Sequence, residues 1–305
     1  MKVFITGGSG YIGNILTKKL SSEFSIISGS QKKIFHQKKN KKIVYKKVNY
    51  KSLKSLKESF EGVNAVIHLV GMNKTDCERN KIKSLVFKEK VTSNILKACE
   101  YNNVKKLIYL SSSQIYKNFQ TNSINEKSKI DKGNFYSKGH ILAEKKIAKE
   151  VLNHYTIIRA SNIFGYLDFK RTAEQKKNLV HMFCEEAITK NTIRVHNPNV
   201  VKNFLPMSIF INNIKTFLVN KRFDKKIINL GSKSLTLYDL ALKIQSRLKI
   251  KKKYKKKIEI LTNKKIKKLN SNHAFKSLTK KIVYSPKLFN IEIDNILNLL
   301  IKKSF

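Results

Sequence analysis

The chain has little of several features that would mark particular classes of protein. Its three cysteines, Cys77, Cys99 and Cys184, are widely spaced and odd in number, which excludes a disulfide framework and a cysteine metal cluster. No uncharged apolar run reaches the roughly 18 residues that a membrane span needs. The first residues already have the pattern of a strand and not of a signal peptide. We therefore expect a soluble cytoplasmic protein whose cysteines are reduced.

Acidic side chains and arginine are scarce as well. Among 305 residues, 64 are Lys or Arg and 20 are Asp or Glu, which gives a formal net charge of +44. A surface this basic attracts nucleic acid without regard to sequence. However, only six of the basic residues are Arg, the side chain that binds phosphates and bases through two hydrogen bonds at once. We therefore expect no specific nucleic-acid partner.

Proline is rare too, and Pro198, Pro206 and Pro286 all fall in the second half of the chain. Ahead of them, short apolar runs alternate with helical patterns. The candidate strands are 3–6, 25–28, 43–48, 65–69, 107–110 and 156–158, and the helices between them are 11–20, 53–60, 86–101 and 136–152. Strands and helices in alternation predict an α/β fold with a Rossmann-type, doubly wound parallel sheet.

After about residue 159 this alternation loosens. Helical patterns cover 179–190 and 237–248, residues 202–206 are extended, and 249–281 is nearly low-complexity sequence to which we assign no role. We predict two domains. Residues 1–160 bind a dinucleotide, and residues 161–305 form mainly a smaller α+β lobe that binds the substrate.

A glycine-rich run, GGSGYIG, occupies residues 7–13, between the first candidate strand and the first candidate helix. Glycines let the backbone turn tightly and approach phosphate without an intervening Cβ, and the first helical turn points free N–H groups at the negative charge. The run therefore predicts a site for the pyrophosphate of a dinucleotide. Its candidate contacts are Gly7, Gly10, Tyr11, Ile12 and Gly13.

Hydroxyl side chains follow at the end of the fifth strand and at the start of the next helix. Serine occupies positions 111, 112 and 113, and Tyr136 begins the helix. Ligands of such sheets bind beyond the carboxyl ends of the strands, so both groups should face the crevice of the glycine run. Together they can polarise a sugar hydroxyl or carbonyl while the tyrosine passes a proton, the chemistry needed beside hydride transfer with nicotinamide.

In this order and spacing, the motifs resemble an extended short-chain dehydrogenase/reductase of the NAD-dependent epimerase/dehydratase family over nearly the whole length. Besides the glycine run, the matching positions are His68, Leu69, the serines at 111–113, Tyr116, Tyr136, Arg159, Asn162, Gly165, Asn178, Leu179, Lys202, Asn203, Phe204, Asn229, Leu230, Gly231, Thr236, Leu237, Leu240 and Ala241. The resemblance implies that Ser113 polarises the substrate and that Tyr136 is the acid/base.

The resemblance implies further contacts in the second half of the chain. Asn162, Asn178 and Lys202 would hold the diphosphate of a nucleotide sugar. Members of the family often form homodimers through helices like 86–101 and 136–152, so a homodimer is expected here as well.

One departure from the family concerns the charge beside the tyrosine. The family places a lysine four residues after it, where it holds the nicotinamide ribose and lowers the tyrosine pKa; this chain has His140. Imidazole can donate to a ribose hydroxyl but is only partly charged near neutral pH. His140 therefore joins Ser113 and Tyr136 as a candidate catalytic residue. Lys88, where the family has a helper asparagine, has two interpretations: it supplies the missing charge, or it is one more solvated lysine.

Cofactor choice depends on the end of the second strand. NAD enzymes usually have an acidic residue there for the ribose 2′-hydroxyl, whereas this chain reads SGSQKK at 28–33. Lys32 is the candidate contact to a 2′-phosphate, so the cofactor is NAD or NADP and the sequence favours NADP. Asn49 stands where the family usually has an aspartate that touches adenine, and an amide can make that contact.

The reaction class narrows on two residues. Dehydratases of the family carry an Asp-Glu pair just after the catalytic hydroxyl residue, where this chain has Gln114 and Ile115. Elimination therefore lacks its acid/base pair. The resemblance implies an NAD(P)-dependent 4-epimerase of a nucleotide sugar or a keto-sugar reductase, in cell-envelope polysaccharide synthesis. The alternatives are a relative that binds the nucleotide sugar without turnover, because His140 replaces lysine, and a nucleic-acid binder.

Overall fold

The computed structural model describes residues 1–31, 40–117, 123–131, 133–150, 154–165, 178–251, 254, 256–267, 275–279 and 285–304. These residues form twelve strands: β1 (Lys2–Ile5), β2 (Ser25–Ser30), β3 (Ile43–Lys47), β4 (Ala65–His68), β5 (Lys106–Ser112), β6 (Tyr155–Ala160), β7 (Asn162–Phe164), β8 (Thr192–Arg194), β9 (Val201–Pro206), β10 (Lys226–Leu230), β11 (Lys233–Thr236) and β12 (Glu259–Leu261). Their α-helices are α1 (Tyr11–Leu20), α2 (Leu53–Ser59), α3 (Lys74–Arg79), α4 (Lys81–Tyr101), α5 (Phe135–Lys149), α6 (Leu179–Lys190), α7 (Met207–Val219), α8 (Leu237–Lys249) and α9 (Pro286–Ser304).

Seven strands form one sheet in the order β10-β6-β5-β4-β1-β2-β3. The pairings of β1 with β2 and β4, of β2 with β3 and of β4 with β5 are all parallel. Parallel neighbours need long crossover connections, and α1, α2 and α4 lie in these connections. The predicted Rossmann-type, doubly wound sheet is thereby confirmed.

The strands in the middle of this sheet are buried on both faces. Every residue of β4 is buried, which explains why its sequence is a continuous apolar run and does not alternate. Phe4 and Val66 of neighbouring strands belong to one apolar cluster together with Ile95 of α4 and Ile147 of α5. This packing fixes both helices against the sheet and so fixes the first turn of α5, where Tyr136 lies.

The chain divides into two compact units. The first contains Met1–Lys117, Ser128–Arg159 and Asn213–Ile228, and the second contains Asn118–Lys127, Ala160–Asn212 and Asn229–Phe305. The chain therefore passes between units more than once, where the sequence prediction has a single boundary at residue 160. The assignment of cofactor binding to 1–160 and of substrate binding to 161–305 stays a prediction.

A late segment of the chain completes the first unit. Asp224, just before β10, forms an ion pair with Lys106 of β5, and its other oxygen lies 2.7 Å from Nδ1 of His154. The hydroxyl of Thr156 on β6 donates to the carbonyl of Phe223 at 2.8 Å. These three contacts hold β10 and the turn before it at this end of the sheet.

The second unit combines small sheets with helices, which agrees with the predicted α+β lobe. Strand β9 pairs with β7 in parallel and with β11 antiparallel, and β8 pairs with β12 in parallel. Helices α6, α8 and α9 contribute Cys184, Ile244 and Ile293 to a common apolar core, and all three are fully buried.

Most predicted elements are present, with shifted ends. Helices α1 and α6 have the predicted bounds, whereas α4 begins at Lys81, five residues before the predicted start at 86. The last residues of the predicted helix 136–152 lie outside the described part. Strands β7, β8 and β10 to β12 and helices α3, α7 and α9 were not predicted. Helix α7 is largely apolar but carries the polar residues Ser208, Asn212 and Asn213.

Two further observations bear on the expectations from composition. Cys77, Cys99 and Cys184 are free and buried, and burial raises the pKa of each thiol. Among the helices of the described residues, none is both long and apolar enough to cross a membrane.

Candidate active site

The glycine run forms a tight loop between β1 and α1. Gly7 has a φ of +69°, a conformation that favours glycine, and its N–H donates to the buried hydroxyl of Tyr50 at 2.9 Å. The N–H of Gly8 donates to the carbonyl of Gly29 at 2.8 Å. A Cβ on Gly13 would lie 2.3 Å from the carbonyl oxygen of Gly7. Only glycine fits at these positions, so the loop is built for close backbone approach.

This loop fits the pyrophosphate of a dinucleotide. Helix α1 begins at Tyr11 directly behind Gly10, without a capping side chain and without an acidic residue in its first turn. The first N–H groups of a helix have no acceptor within the helix, and the helix dipole makes that end attractive to anions. The predicted contacts, Gly7, Gly10, Tyr11, Ile12 and Gly13, thus lie together in a cradle suited to phosphate; the binding itself stays a prediction.

The end of β2 carries hydroxyls and no carboxylate. Ser30 is buried, and its hydroxyl lies 2.7 Å from that of Ser9 in the glycine loop. The predicted contact Lys32 lies outside the described residues. Asn49 is exposed after β3, where its carbonyl oxygen accepts the N–H of Lys51 at 3.1 Å. The proposed adenine contact of Asn49 is not tested by this geometry.

Three neighbouring strands bring their carboxyl ends to the same edge of the sheet. Strand β1 leads into the glycine loop, β4 leads into residues 69–71, and β5 leads into the serines. Thr6 joins the first two, because its hydroxyl accepts the N–H of Leu69 at 2.9 Å and lies 3.2 Å from Nδ1 of His68. The edge is therefore the crevice that the order of the strands predicts.

Helix α5 begins at this edge because two acceptors satisfy its first N–H groups. The side chain of Asn134 caps the N–H of Ser137 at 2.8 Å, and a carboxylate oxygen of Glu78 on α3 accepts the N–H of Phe135 at 2.8 Å. The hydroxyl of Ser137 also donates to the carbonyl of Gln114 at 2.8 Å. These bonds place Tyr136 next to the end of β5.

The side chain of Tyr136 is half-buried at the start of α5, and its hydroxyl interacts with that of Ser112. Burial raises the pKa of Tyr136, and the hydrogen bond with Ser112 acts in the opposite direction. The tyrosine therefore carries its proton at neutral pH and is suited to donate it.

Of the three serines, Ser112 is the one that interacts with the side chain of Tyr136. The predicted residue, Ser113, begins a short 3-10 turn, and its hydroxyl makes no hydrogen bond to any residue that the structure describes. Ser112, which sequence reasoning passed over, both bonds Tyr136 and caps that turn by accepting the N–H of Gln114 at 3.2 Å. The spacing of three consecutive serines does not indicate which of them faces the tyrosine. The position at which β5 ends decides it. The role of Ser113 in binding substrate stays a prediction.

His140 lies beside Tyr136, with ring centroids 4.6 Å apart in an edge-to-face arrangement. Its Nδ1 is 2.8 Å from the hydroxyl of Tyr109 on β5. Burial lowers the pKa of His140 well below its usual value, and the charges of Lys88 and His68 lower it further. At physiological pH the imidazole is therefore neutral. His140 reaches the predicted place but does not bring a positive charge to it.

Lys88 is not a solvated lysine, so that interpretation was wrong. Its side chain is only 8% exposed, and Nζ donates to the carbonyl of Val70 at 3.4 Å, at the end of β4. The same Nζ lies 5.3 Å from the centre of the Tyr109 ring. Burial lowers the pKa of Lys88 to about 8, and the nearby thiol of Cys77 partly opposes this. The ammonium is thus buried close to His68 and His140.

A second buried cluster lies one helical turn further along α5. Glu144 accepts from Nη2 of Arg159 at 2.7 Å and from Nε at 3.2 Å, and both side chains are about 95% buried. The hydroxyl of Ser111 donates to the same carboxylate, and Nη1 of Arg159 donates to the hydroxyl of Tyr116 at 2.8 Å. Burial opposes the charge of Arg159, but the bonds and charge of Glu144 raise its pKa.

The predicted substrate residues all belong to the second unit. The amide of Asn162 donates to the carbonyl of Asn203 at 2.8 Å, and Asn178 caps α6 by accepting the N–H of His181 at 3.1 Å. Lys202 lies on β9, opposite Leu235 of β11. Both amides therefore have structural bonds within their own unit, and the binding of a diphosphate by these residues stays a prediction.

The fold and its glycine loop define the class of the protein: a Rossmann-type α/β protein with a loop of the dinucleotide-binding kind. The family model described as NAD dependent epimerase/dehydratase matches residues 3–202. The match spans more than half of the chain, so the chain belongs to the NAD-dependent epimerase/dehydratase family. The resemblance inferred from the motifs is confirmed.

Individual proteins similar to this chain share 30% or less of its sequence. A stretch of 199 residues is 30% identical to a dTDP-D-glucose 4,6-dehydratase of Dictyostelium discoideum, and it spans 54% of this chain and 44% of that protein. A UDP-glucose 4-epimerase of Thermotoga maritima has a similar structure, with a TM-score of 0.76 over 100% of both chains at 15% identity. The structure of a UDP-N-acetylglucosamine 4-epimerase of Bacillus cereus has a TM-score of 0.76. The match covers 98% of this chain and 96% of that one at 19% identity. At these identities the structural likeness shows the fold.

Proposed function

We propose that this chain is an NAD(P)-dependent enzyme that either epimerises a nucleotide sugar at carbon 4 or reduces a keto sugar. The observation that carries the proposal is the half-buried Tyr136, whose hydroxyl is protonated and interacts with Ser112 at the sheet edge that also holds the glycine loop. Membership of an NAD-dependent family supports it, as do similar structures whose substrates are UDP-sugars.

The residues divide into a cofactor part and a proton part. Gly7, Gly10, Gly13 and the first turn of α1 would hold the pyrophosphate through backbone N–H groups. The bound dinucleotide supplies the chemistry of accepting a hydride from a sugar carbon and returning one.

Tyr136 performs the proton step. During reduction its hydroxyl donates a proton to the carbonyl oxygen of the keto sugar as the C–H bond forms, which leaves a tyrosinate; during oxidation the tyrosinate takes the proton back from the sugar hydroxyl. The bond from Ser112 stabilises the tyrosinate, because it lowers the pKa of Tyr136. The hydroxyl of Ser113, which has no hydrogen-bond partner among the described residues, would bond the reacting oxygen.

Elimination of water is disfavoured by the residues that follow these serines. The partly matching relative from Dictyostelium discoideum is a dehydratase. In this chain, Gln114 and Ile115 follow Ser113, and neither can remove and return a proton as a carboxylate does. The same holds if Ser112 is the catalytic hydroxyl, because Ser113 and Gln114 then follow. We therefore propose epimerisation or reduction and not dehydration.

The proposal also covers the cofactor, the contacts to the substrate, the oligomeric state and the location of the protein. The end of β2 has no carboxylate from Ser28 to Gln31, so a 2′-phosphate is tolerated there and NADP is favoured over NAD. Asn162, Asn178 and Lys202 would bind the diphosphate of the substrate. We also propose that the protein forms a homodimer in the cytoplasm and acts in polysaccharide synthesis.

The test is conversion of a panel of UDP- and dTDP-hexoses and their 4-keto forms, with NAD and NADP in turn, followed by chromatography and mass spectrometry. Tyr136→Phe should lower turnover by about 10²- to 10⁴-fold, the usual contribution of a positioned acid/base. Tyr101→Phe, which changes an exposed tyrosine, is the matched control and should leave turnover unchanged. Water loss from a hexose would contradict the assignment of the reaction.

The two serines can be told apart in the same assay. Ser112→Ala should move the alkaline limb of the pH profile upward, because it removes the hydrogen bond that lowers the pKa of Tyr136. Ser113→Ala should lower turnover and leave that limb in place.

A second candidate function is binding of a nucleotide sugar without turnover. The neutral, buried His140 at the lysine position of the family favours it. His140→Lys distinguishes the two: a gain in turnover marks a weakened enzyme, whereas ligand binding without conversion by either form marks a binding protein.

A further inference from the structure

The crevice contains an ammonium group for which the protein supplies little compensation. Lys88 reaches the end of β4 from α4, and among the described residues its only hydrogen bond goes to the carbonyl of Val70. Its other close partner is the face of Tyr109. Among the described residues it has no ion pair. An ammonium has three donors, so two of them remain for a ligand.

Lys88 also points to the same edge as the glycine loop. A Cβ on Gly71 would lie 2.7 Å from Nζ of Lys88, so the ammonium occupies space that a side chain at position 71 would take. The neighbouring Val70 packs against the loop, because a Cβ on Gly7 would lie 3.4 Å from its Cγ2. The ammonium and the phosphate cradle therefore lie on either side of the same short segment.

His140 cannot be the cation of this crevice. Its Nδ1 is engaged with Tyr109, its ring is buried, and the nearby ammonium of Lys88 opposes its protonation. His68 is also buried, and the same ammonium lowers its pKa. Of the three basic side chains, Lys88 alone carries charge at neutral pH.

We propose, on the basis of the function proposed above, that Lys88 is the cofactor-binding cation of this protein. Its ammonium, carried by α4, donates to the ribose hydroxyls of the dinucleotide, which the family's lysine does from the position of His140 on α5. His140 then acts as a positioning residue, since its ring packs between the hydroxyl of Tyr109 and the ring of Tyr136. The charge has moved from one helix to its neighbour.

The proposal predicts a pH dependence of cofactor binding. The titratable groups that face Lys88 are Cys77 of α3, His68 of β4, Tyr109 of β5 and His140 of α5. Burial lowers the pKa of both histidines and raises that of Cys77 and Tyr109, so none of them matches the titration of Lys88 near pH 8. Affinity should fall as the pH rises through about 8, because the ammonium loses its proton.

The experiment measures binding and not turnover. Isothermal titration calorimetry with NAD⁺ and NADP⁺, without any sugar, is run from about pH 6.5 to about pH 9.5 in buffers of different ionisation enthalpy. Above about pH 8, the wild type should take up a proton on binding and should lose affinity. Lys88→Met should bind at least about tenfold more weakly at pH 7, as expected for a lost charged hydrogen bond, and should take up no proton. Lys90→Met removes an exposed lysine from the same helix and should behave as the wild type.

A double variant tests the relocation itself. Lys88→Asn with His140→Lys recreates the arrangement of the family and should recover most of the affinity that Lys88→Asn loses. Wild-type affinity and an unchanged pH profile in Lys88→Met would overturn the proposal, and so would failure of the wild type to bind either dinucleotide. Dinucleotide binding that depends on Lys88, without conversion of any sugar, would support this proposal and contradict only the proposed enzyme.

Discussion

Two buried clusters lie side by side between β5 and α5, and they treat charge in opposite ways. In one, Ser111 of the strand meets Glu144 of the helix, and Arg159 completes an ion pair. In the other, Tyr109 of the strand meets His140 of the helix, and Lys88 brings a positive charge that no described carboxylate balances.

The contrast separates a structural cluster from the cluster that we propose binds a ligand. Positions 109 and 111 share one face of the strand, and 140 and 144 lie one turn apart on the helix, so the surroundings are similar. A fully bonded ion pair holds its elements together, and removal of one partner is costly. A buried charge without a partner destabilises the fold, and such a charge is expected where a ligand completes its bonding.

Breaking the ion pair of Glu144 with Arg159 should have the largest effect on stability. Glu144→Gln leaves the guanidinium of Arg159 buried without its counter-charge, so the free energy of unfolding should fall by about 3–5 kcal/mol. Urea unfolding followed by circular dichroism measures it. Glu150→Gln, which loses a half-exposed ion pair with Lys146 on the same helix, is the control and should cost less than about 1 kcal/mol. Equal losses in both variants would remove the distinction between a buried and an exposed pair.

Removing the charge of Lys88, which no described carboxylate balances, should have the opposite effect and stabilise the fold. The pKa of Lys88 is lowered from 10.5 to about 8, so at pH 7 the folded state bears the cost of a buried ammonium. Lys88→Met should raise the free energy of unfolding by about 3 kcal/mol at pH 7. Between about pH 8 and 10.5 the unfolded wild type binds a proton that the folded state does not, so the wild type gains stability and the advantage of the variant disappears. Lys90→Met should show neither effect, and a destabilised Lys88→Met would contradict the prediction.

The histidines of the same cluster should make the protein sensitive to acid. Their lowered pKa means that the unfolded chain takes up protons below about pH 6.5 while the folded protein does not. The free energy of unfolding should therefore fall with decreasing pH, by up to about 1.4 kcal/mol per pH unit for each histidine. His140→Gln should flatten the profile measured by urea unfolding. His196→Gln, at an exposed position, should not change it.

Much of the first unit was accessible from sequence because local signals and the fold agree. The glycine run, the apolar runs and the hydroxyl residues after β5 each follow from backbone chemistry and predicted the sheet, the cradle and Tyr136. The sequence does not indicate that Ser112 is the serine beside Tyr136, because this depends on the residue at which the strand ends and the turn begins.

The burial of Lys88 had a signal that composition concealed. Lys88 precedes Val91, Thr92 and Ile95 by three, four and seven residues, so it continues the buried stripe of α4. In a chain with so many lysines, one more on a helix was easily assigned to solvent. The pairing of Glu144 with Arg159 needed the fold, since it joins a helix to the following strand.

The strand β10 has a consequence for the order in which the protein can assemble. It occupies the edge of the large sheet beside β6, although more than sixty residues separate the two in sequence. Until the ribosome has made those residues, β6 has an open edge. Lys106 and His154 then lack their partner Asp224. The seven-stranded sheet therefore cannot be completed until most of the chain has been synthesised, and an N-terminal fragment that stops at Asn212 would retain an edge able to pair with another chain.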